Sequence, residues 1–443
     1  MSEAVEAKGW GRLLRARPAE LKPVLLAFAY FFCVLACYYV LRPVRDEMGI
    51  RSGVRNLPWL FTGTFVASLV IAPIYAALVG RLRRAVFIPS VYGFLTLNIL
   101  AFWACLTFGF AVAQTAVVFF VWITVFSVFA VSVFWSFMAD LFSSDQAKRL
   151  YPVIAAGGSL GGFAGSATVT GLAKVIGPAN LLGVAAVLLA LALACAMALE
   201  RQAKTVSADK EPRDNTVGGR WGGPDKALGG GWLAGVATIL RSPYLSAIAG
   251  WVFLLSTANT FSYYMQAQII SDAHLDTATR TQIFGAIDLA TNILIPLVQL
   301  VVTGFLLKRV GVGVTLAIVA VVGVAGYLSL AIAPILAVIV GVQVAYRAGS
   351  LAISNPAREA LWPVVARDEK YKAKNVVDNV VFRGGDVANA WIYNLLSATA
   401  GLGVSAIALI GAAVSAGWIA LSLGLGRAQA KKVAAQTPAE GAA

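Results

Sequence analysis

Long apolar stretches, each about as long as a membrane-spanning helix, recur along most of the chain. Blocks such as 111–138, 180–199 and 402–425 contain no charged residue. A helix of about 20 apolar residues crosses the roughly 30 Å hydrocarbon layer of a bilayer, so the pattern predicts an all-α membrane protein. We expect twelve transmembrane helices near residues 23–41, 58–80, 86–109, 112–138, 151–173, 179–199, 243–266, 282–306, 312–332, 334–354, 372–398 and 402–425.

The polar stretch 200–232 divides these spans into two sets of six. It is rich in Gly, Pro, Lys, Arg and Asp and lacks apolar periodicity, which is typical of a linker. We expect a cytoplasmic basic N-tail at 1–22, a first six-helix bundle at 23–200, a cytoplasmic linker at 201–242, a second six-helix bundle at 243–426 and a cytoplasmic C-tail at 427–443.

The two halves resemble each other when one is displaced by about 224 residues. The Tyr-Tyr pair at 38–39 falls beside the pair at 263–264, and the acidic-basic loop at 145–148 falls on the loop at 369–372. An internal repeat of six plus six helices about an axis along the membrane normal is the plan of major-facilitator transporters. We therefore predict a pseudo-symmetric bundle of that type, with the substrate site near the middle of the membrane.

Composition supports this class and indicates an orientation. Of the 443 residues, 59% are hydrophobic and 13% charged, which is more apolar surface than one soluble core needs. Of the 35 Lys and Arg residues, 27 lie in the tails and even-numbered loops and six in the odd-numbered loops. The positive-inside rule then predicts cytoplasmic termini for a multi-pass protein, which we expect in a bacterial inner membrane. Basic loops also explain the net charge of +14 without a nucleic-acid partner.

The sequence shows no pattern typical of an enzyme. The single histidine, His274, lies in a polar loop, and the four cysteines lie in apolar stretches without a zinc-type or redox spacing. No Ser/His, Cys/His or metal-ligand arrangement is visible. We therefore expect no catalysis, no metal and no cofactor.

A glycine-rich run at 157–166 lies in the fifth span. No Gly-Lys-Ser/Thr follows it and no strand precedes it, so it is not a phosphate-binding loop. Its glycines recur at i and i+4, which predicts a smooth helix face that another helix backbone approaches closely.

Two arginines follow the first predicted span. Arg42 and Arg45 lie in a dense charged run on the side of the membrane that is otherwise poor in basic residues. An ordinary surface loop would explain them, because arginine at a helix end can extend to the interface. A local pairing or a binding role would explain them equally well.

Further charged residues lie inside the spans. Asp288 and Arg347 have apolar neighbours in sequence, and a charge there costs several kcal/mol unless it faces a cavity or a partner. Arg383 and Asp386 lie three residues apart on one face of the eleventh span. Both a neutral internal ion pair and a charged cavity for a polar solute fit this spacing.

Three stretches carry a resemblance to a known family. The stretch 38–46 is similar to an aromatic-Leu-Arg run with Lys-Asp shortly after it. The stretch 134–151 is similar to Phe-Trp-x-Phe-x-Asn-Glu followed by Glu-Ala-Lys-Arg-Phe-Tyr. The stretch 355–374 is similar to Asp-Pro-Thr-Lys-Glu followed by Lys-x-Lys-x-Lys. In this order they resemble the ATP/ADP translocases of plastids and intracellular bacteria, a nucleotide-exchanging branch of the major facilitator superfamily.

The resemblance implies roles for individual residues. Arg45 stands where the family has a lysine in the first span, and Asp140 stands where it has a glutamate in the fourth. Both keep the sign of the charge. Asp386 stands where the family has a lysine in the eleventh span that is linked to phosphate binding, so the charge is reversed there, and Arg383 lies one turn earlier.

These observations predict a secondary transporter of an anionic, phosphorylated metabolite, with ATP/ADP-type nucleotide exchange by alternating access as the first candidate. We expect the chain to act as a monomer in the bilayer. A proton-coupled transporter of another small solute is one alternative, and a non-transporting membrane scaffold or receptor is a second. The expected substrate-binding residues are Arg45, Asp140, Arg383, Asp386, Arg42, Asp288 and Arg347.

Overall fold

The computed structural model describes residues 17–81, 84–208 and 232–436, which are almost entirely helical. Most of the predicted N-tail and of the predicted linker, and the end of the predicted C-tail, lie outside the described residues. The helices are α1 (Pro18–Arg51), α2 (Leu57–Arg81), α3 (Arg84–Thr107), α4 (Val112–Leu141), α5 (144–176), α6 (178–208), α7 (Trp232–Arg241), α8 (Pro243–Asp272), α9 (Thr277–Arg309), α10 (Gly311–Ile332), α11 (Leu336–Glu359), α12 (367–399) and α13 (Val404–Gln436).

Every helix except the short α7 corresponds to one of the twelve predicted spans. Within the described ranges, ten helical stretches are long and apolar enough to cross a membrane. One of them has 58 residues, and at about 1.5 Å per residue this is far longer than the roughly 30 Å hydrocarbon layer. Gly177, with φ +79°, and Pro178 break it into α5 and α6. The remaining span, α12, is less apolar because it carries Arg383 and Asp386.

The surface of these helices is apolar where a soluble protein would be polar. Leu300 on α9 and Ile332 on α10 are each 85% exposed. Contiguous exposed apolar surface of this kind is suited to lipid, which solvates such side chains without cost. The exposure pattern therefore agrees with the membrane location predicted from the sequence.

The predicted close packing on the glycine-rich face of α5 is confirmed. A Cβ atom added to Gly157 would lie 2.5 Å from the backbone oxygen of Phe28 on α1, and one added to Gly161 would overlap the backbone oxygen of Phe32. The absence of side chains at these positions lets the two backbones approach, as small residues do between membrane helices.

The helices form two compact units. Among the described residues, the first unit contains the chain up to Arg51, the chain from Val66 to the end of α6, and Asp276–Leu289. The second unit contains Ser52–Phe65 and the remaining residues of the second half of the sequence. Each unit thus includes one short segment from the other half of the sequence. The two segments lie 224 residues apart at both ends, from 52 to 276 and from 65 to 289, which supports the predicted six-plus-six repeat.

One helix boundary differs from the sequence prediction. The predicted first span ended at residue 41, whereas α1 continues as helix through the charged run to Arg51. A prediction from hydropathy places the end of a span at the first cluster of charges, but the backbone can remain helical beyond that point. The charges can remain in a membrane helix here because most of them have partners within the first unit.

Candidate functional site

Arg45 is held at the end of α1 by two neighbours within the first unit. Its Nη2 and Nε atoms lie 2.6 and 3.0 Å from Oδ1 of Asp46. Its guanidinium carbon lies 5.1 Å from the centre of the Phe120 ring on α4. A charge-assisted hydrogen bond and a cation–π contact therefore both fix this side chain.

The start of α9 brings two further ion pairs to the same end of α1. Asp288, 2% exposed, lies 3.6 Å from Nη1 of Arg42. Glu47, fully buried, accepts a hydrogen bond of 2.7 Å from Nη2 of Arg280. A buried carboxylate is tolerated in a membrane helix only with such a partner.

These contacts form a group that we call the α1–α9 charge cluster. Its members are Arg42, Arg45, Asp46, Glu47, Arg280 and Asp288. Three cations face three carboxylates, so the formal charge of the cluster is zero. Among the explanations left open for Arg42, a local pairing fits this arrangement, and Asp288 faces a charged partner. Sequence reasoning did not select Glu47 or Arg280, because nothing in the sequence pairs two residues 233 positions apart.

The loop before α9 helps to position this helix. Asp276 directly precedes α9 and accepts hydrogen bonds from the Thr279 hydroxyl at 2.6 Å and from the Thr279 backbone N–H at 3.0 Å. This is the geometry of an N-cap. The Thr279 hydroxyl, followed by its backbone N–H, lowers the pKa of the exposed Asp276 carboxyl below its usual value.

The second unit contains a different polar group, between the middle of α8 and α12. Oδ1 of Asp386 accepts a hydrogen bond from the Ser256 hydroxyl at 2.7 Å and a longer one from Thr260 at 3.4 Å. Ser256 lies 13 residues from the start of the 30-residue α8, which is roughly 20 Å along the helix and near its centre. We call Ser256, Thr260, Arg383 and Asp386 the α8–α12 polar group.

The ion pair considered for Arg383 and Asp386 is not formed. Asp386 is bound by the hydroxyls of α8, and Arg383, which is half-buried, has no ion-pair partner in the described parts of the chain. The i, i+3 spacing therefore does not produce an ion pair here, and the Asp386 carboxylate accepts a hydrogen bond from Ser256, 130 residues away. Sequence reasoning missed Ser256 and Thr260, since single hydroxyls in apolar helices are too common to be a signal.

Arg347 lies on α11, which packs on the same part of α8. The hydroxyl of the adjacent Tyr346 donates to the backbone oxygen of Leu255 at 3.4 Å, one residue before Ser256. Gln343 donates to the backbone oxygen of Ser262 at 3.0 Å. Arg347, half-buried, therefore lies at about the level of the α8–α12 polar group.

Asp140 is separate from the other predicted site residues of the first unit. It is exposed in the last turn of α4, whereas Arg45 contacts the same helix at Phe120. Twenty residues of helix span roughly 30 Å, so Arg45 and Asp140 lie about that far apart along α4. The structure thus brings together Arg42, Arg45 and Asp288, and does not bring Asp140 to them.

No group of three or more His, Cys, Asp or Glu side chains among the described residues could hold a metal ion. Cys33, Cys37, Cys105 and Cys195 are free thiols.

The fold is shared with solved transporters. The chain is similar to the nucleoside transporter NupG, with 12% identity over 92% of this chain and 99% of that one and a TM-score of 0.62. It is similar to the POT family transporter PepTSo, with 12% identity over 94% and 99% and a TM-score of 0.62. It also resembles a bacterial homologue of the lysosomal transporter Spinster, with 13% identity over 95% and 96% and a TM-score of 0.53.

These likenesses define the fold. No protein-family model matches the chain, and no curated protein matches its sequence. At 12–13% identity the solved structures establish the fold. The chain is a multi-pass membrane protein with the six-plus-six helical fold of major-facilitator transporters, and the solved structures named above are transporters.

Proposed function

We propose that the chain is a secondary transporter of an anionic, phosphorylated metabolite, working by alternating access, with nucleotide exchange as the first candidate. The proposal is based mainly on the surroundings of Arg383. Arg383 is a half-buried cation near the centre of a membrane bundle and has no ion-pair partner within the described residues.

An arginine in such a position is costly. A charge inside the membrane requires a cavity, a partner or a ligand. Asp386 lies close enough to interact electrostatically with Arg383, but its Oδ1 atom is engaged by Ser256 and Thr260. A phosphate bound to Arg383 would supply the missing partner through charge-assisted hydrogen bonds.

The α1–α9 charge cluster is a weaker candidate for the anion. Its three arginines already face three carboxylates, so an incoming anion would have to displace one of them. We therefore assign the substrate's negative group to Arg383 first and to Arg347 second. Arg42, Arg45 and Asp288 would then position α1 and α9, and Asp140 would act at the far end of α4.

The charge balance of the α8–α12 polar group favours a substrate with few charges. Asp386 keeps a negative charge close to Arg383, so a nucleoside triphosphate is disfavoured relative to a monophosphate ester. The resemblance to ATP/ADP translocases supports phosphate esters as a class, and the reversed charge at Asp386 argues for a difference in substrate. The fold neighbour NupG is a nucleoside transporter, which agrees with a nucleoside-containing solute.

One observation favours a second candidate, a proton-coupled transporter of another solute. Asp386 is a carboxylate in a membrane helix with two hydroxyl neighbours, and such carboxylates serve in proton relays. Under this alternative, Asp386→Asn would abolish the dependence of uptake on a pH gradient. Under nucleotide exchange, the same variant would increase the binding of more highly charged nucleotides.

Uptake by proteoliposomes tests the main proposal. We expect labelled AMP and ADP to enter vesicles containing the purified protein. Arg383→Gln should reduce this uptake at least tenfold, because the anion loses its cation. Arg427→Gln removes an exposed cation near the end of α13 and serves as the matched control, with uptake unchanged.

Equal uptake by Arg383→Gln and the wild type would refute the role of Arg383. No uptake by the folded wild type, with stable capture of a partner protein, would favour a scaffold.

A further inference from the structure

The second unit contains a cavity of about 300 Å³ where α8 and α12 end. Tyr264, Gln268 and Asp272 of α8 line one side, and Tyr393 and Asn394 of α12 line another. Gln268 lies 12 residues after Ser256, roughly 18 Å along α8, so the cavity is distinct from the α8–α12 polar group. Its volume is at the lower end of the range for small-molecule sites.

Arg55 supplies a cation to this cavity. It lies in the turn Val54–Asn56 before α2, is exposed, and has no ion-pair partner in the portion of the chain that the structure describes. It is also one of the six basic residues in loops that the charge distribution assigns to the outer side. A free arginine at a cavity rim is suited to a phosphate or carboxylate group.

Tyr264 supplies a buried hydroxyl without a partner. The residue is 1% exposed, and its Oη atom makes no hydrogen bond in the structure. Its ring lies 4.8 Å from the ring of Tyr393 and 5.8 Å from the ring of Phe61. A buried polar atom without a partner is unfavourable. Tyr264 lines the cavity, and a ligand atom that reached this hydroxyl would relieve the cost.

Gln268 and Asp272 supply acceptors. The Gln268 amide nitrogen donates to both carboxylate oxygens of Asp272, at 2.9 and 3.0 Å. This leaves the amide oxygen and the remaining carboxylate lone pairs available to ligand hydroxyls. Carboxylates bind ribose hydroxyls in this way in dinucleotide sites.

From this arrangement we propose a second binding site, in which the cavity binds the monophosphate ester of a hydroxylated sugar, such as a sugar phosphate or a nucleoside monophosphate. The phosphate lies at Arg55, the sugar hydroxyls at Gln268 and Asp272, and Tyr264 donates its hydroxyl to the ligand. One cation suits one phosphate group. The choice of ligand class rests on the proposed transport function, and the site would capture substrate before it reaches Arg383.

Calorimetric binding of AMP and ribose 5-phosphate to the full-length protein tests the site, in an Arg383→Gln background that weakens the central site. We expect both probes to bind there still. Adding Arg55→Gln should weaken binding at least tenfold. Adding Lys174→Gln, which removes an exposed cation outside the cavity on the same predicted side, should leave affinity unchanged. This control separates a specific site from general electrostatic attraction.

Tyr264→Phe distinguishes a hydroxyl that binds the ligand from one that only stabilises the fold. If its hydroxyl serves the ligand, probe affinity falls severalfold, whereas the melting temperature of the ligand-free protein stays the same or rises. Loss of all probe binding in Arg383→Gln, or unchanged affinity in Arg55→Gln or Tyr264→Phe, would overturn the second site. Arg383-dependent uptake would still support transport in that case. Cavity binding without any uptake by the wild type would refute transport and leave the site.

Discussion

Arg45 and Arg383 are both arginines in membrane helices, but their surroundings differ. Arg45 has Asp46 on one side of its guanidinium and the Phe120 ring on another. Arg383 has no comparable partner among the residues described, and the nearby Asp386 carboxylate accepts a hydrogen bond from Ser256. We infer that the first arginine chiefly organises its helix, whereas the second is available to a ligand.

Variants of Arg45 can separate these roles. Arg45→Ala should lower both stability and transport, because the buried Asp46 loses the hydrogen bonds from Arg45 at a cost of roughly 1–3 kcal/mol. Arg45→Lys should be milder, since it keeps the charge and loses the forked geometry. The double variant Arg45→Ala/Asp46→Ala should recover stability in a thermal unfolding assay. Recovery of uptake as well would show that Arg45 is structural, and uptake that stays low would show that it acts on the substrate.

At the scale of elements, α1 and α5 depend on glycine for their close approach. Gly161 faces the backbone of Phe32, whereas Gly171, two to three turns later on the same helix, has no atom within 4 Å of the position that a Cβ atom would occupy. Packing of this kind is specific to position, because only residues facing the other helix must be small. The two glycines therefore form a matched pair for mutation.

Gly161→Ala should destabilise the protein by roughly 1–3 kcal/mol, because the two helices must move apart to accept a methyl group. Gly171→Ala should be neutral or stabilising by roughly 0.5–1 kcal/mol, since alanine reduces the entropy of the unfolded chain. Unfolding of both variants in the same detergent measures the difference. Equal stability of the two variants would contradict the packing described for α1 and α5.

The ion pairs of α1 and α9 are a second feature at this scale. Arg280→Gln would leave the fully buried Glu47 without its partner, and the expected cost is about 3–5 kcal/mol. The double variant Arg280→Gln/Glu47→Gln should recover most of this loss, because it removes the uncompensated charge. A double-mutant cycle by thermal unfolding measures the coupling. Additive losses would mean that the two residues do not interact.

Hydropathy was sufficient to predict the helices but not the contacts between their charges. The apolar runs were sufficient to locate all twelve spans, including the more polar α12, because a span needs only about 20 helical residues. The helical extension of α1 was not predictable, since its charges are paired with residues on α9 that are far away in sequence. Asp140 was placed with Arg45 by resemblance, and only the length of α4 shows that they are separate.

Across the whole molecule, the two halves repeat the same helices but carry different side chains at equivalent positions. A displacement of 224 residues relates Asp386 to Gly162 and Ser256 to Phe32. The first unit therefore has glycine packing where the second has the α8–α12 polar group. We expect the charged part of a substrate to bind to the second unit, which includes Arg55 and Arg383, and the first unit to contribute mainly helix packing.

Counterflow in proteoliposomes tests whether the chain exchanges phosphorylated anions. Vesicles would be loaded with unlabelled AMP, ADP or buffer alone, and labelled AMP would be added outside. We expect labelled AMP to accumulate faster and to a transient excess in vesicles loaded with nucleotide. ATP should compete less well than AMP, because Asp386 repels the additional negative charge. Accumulation no greater than in protein-free vesicles, by protein shown to be folded, would contradict the proposed exchange.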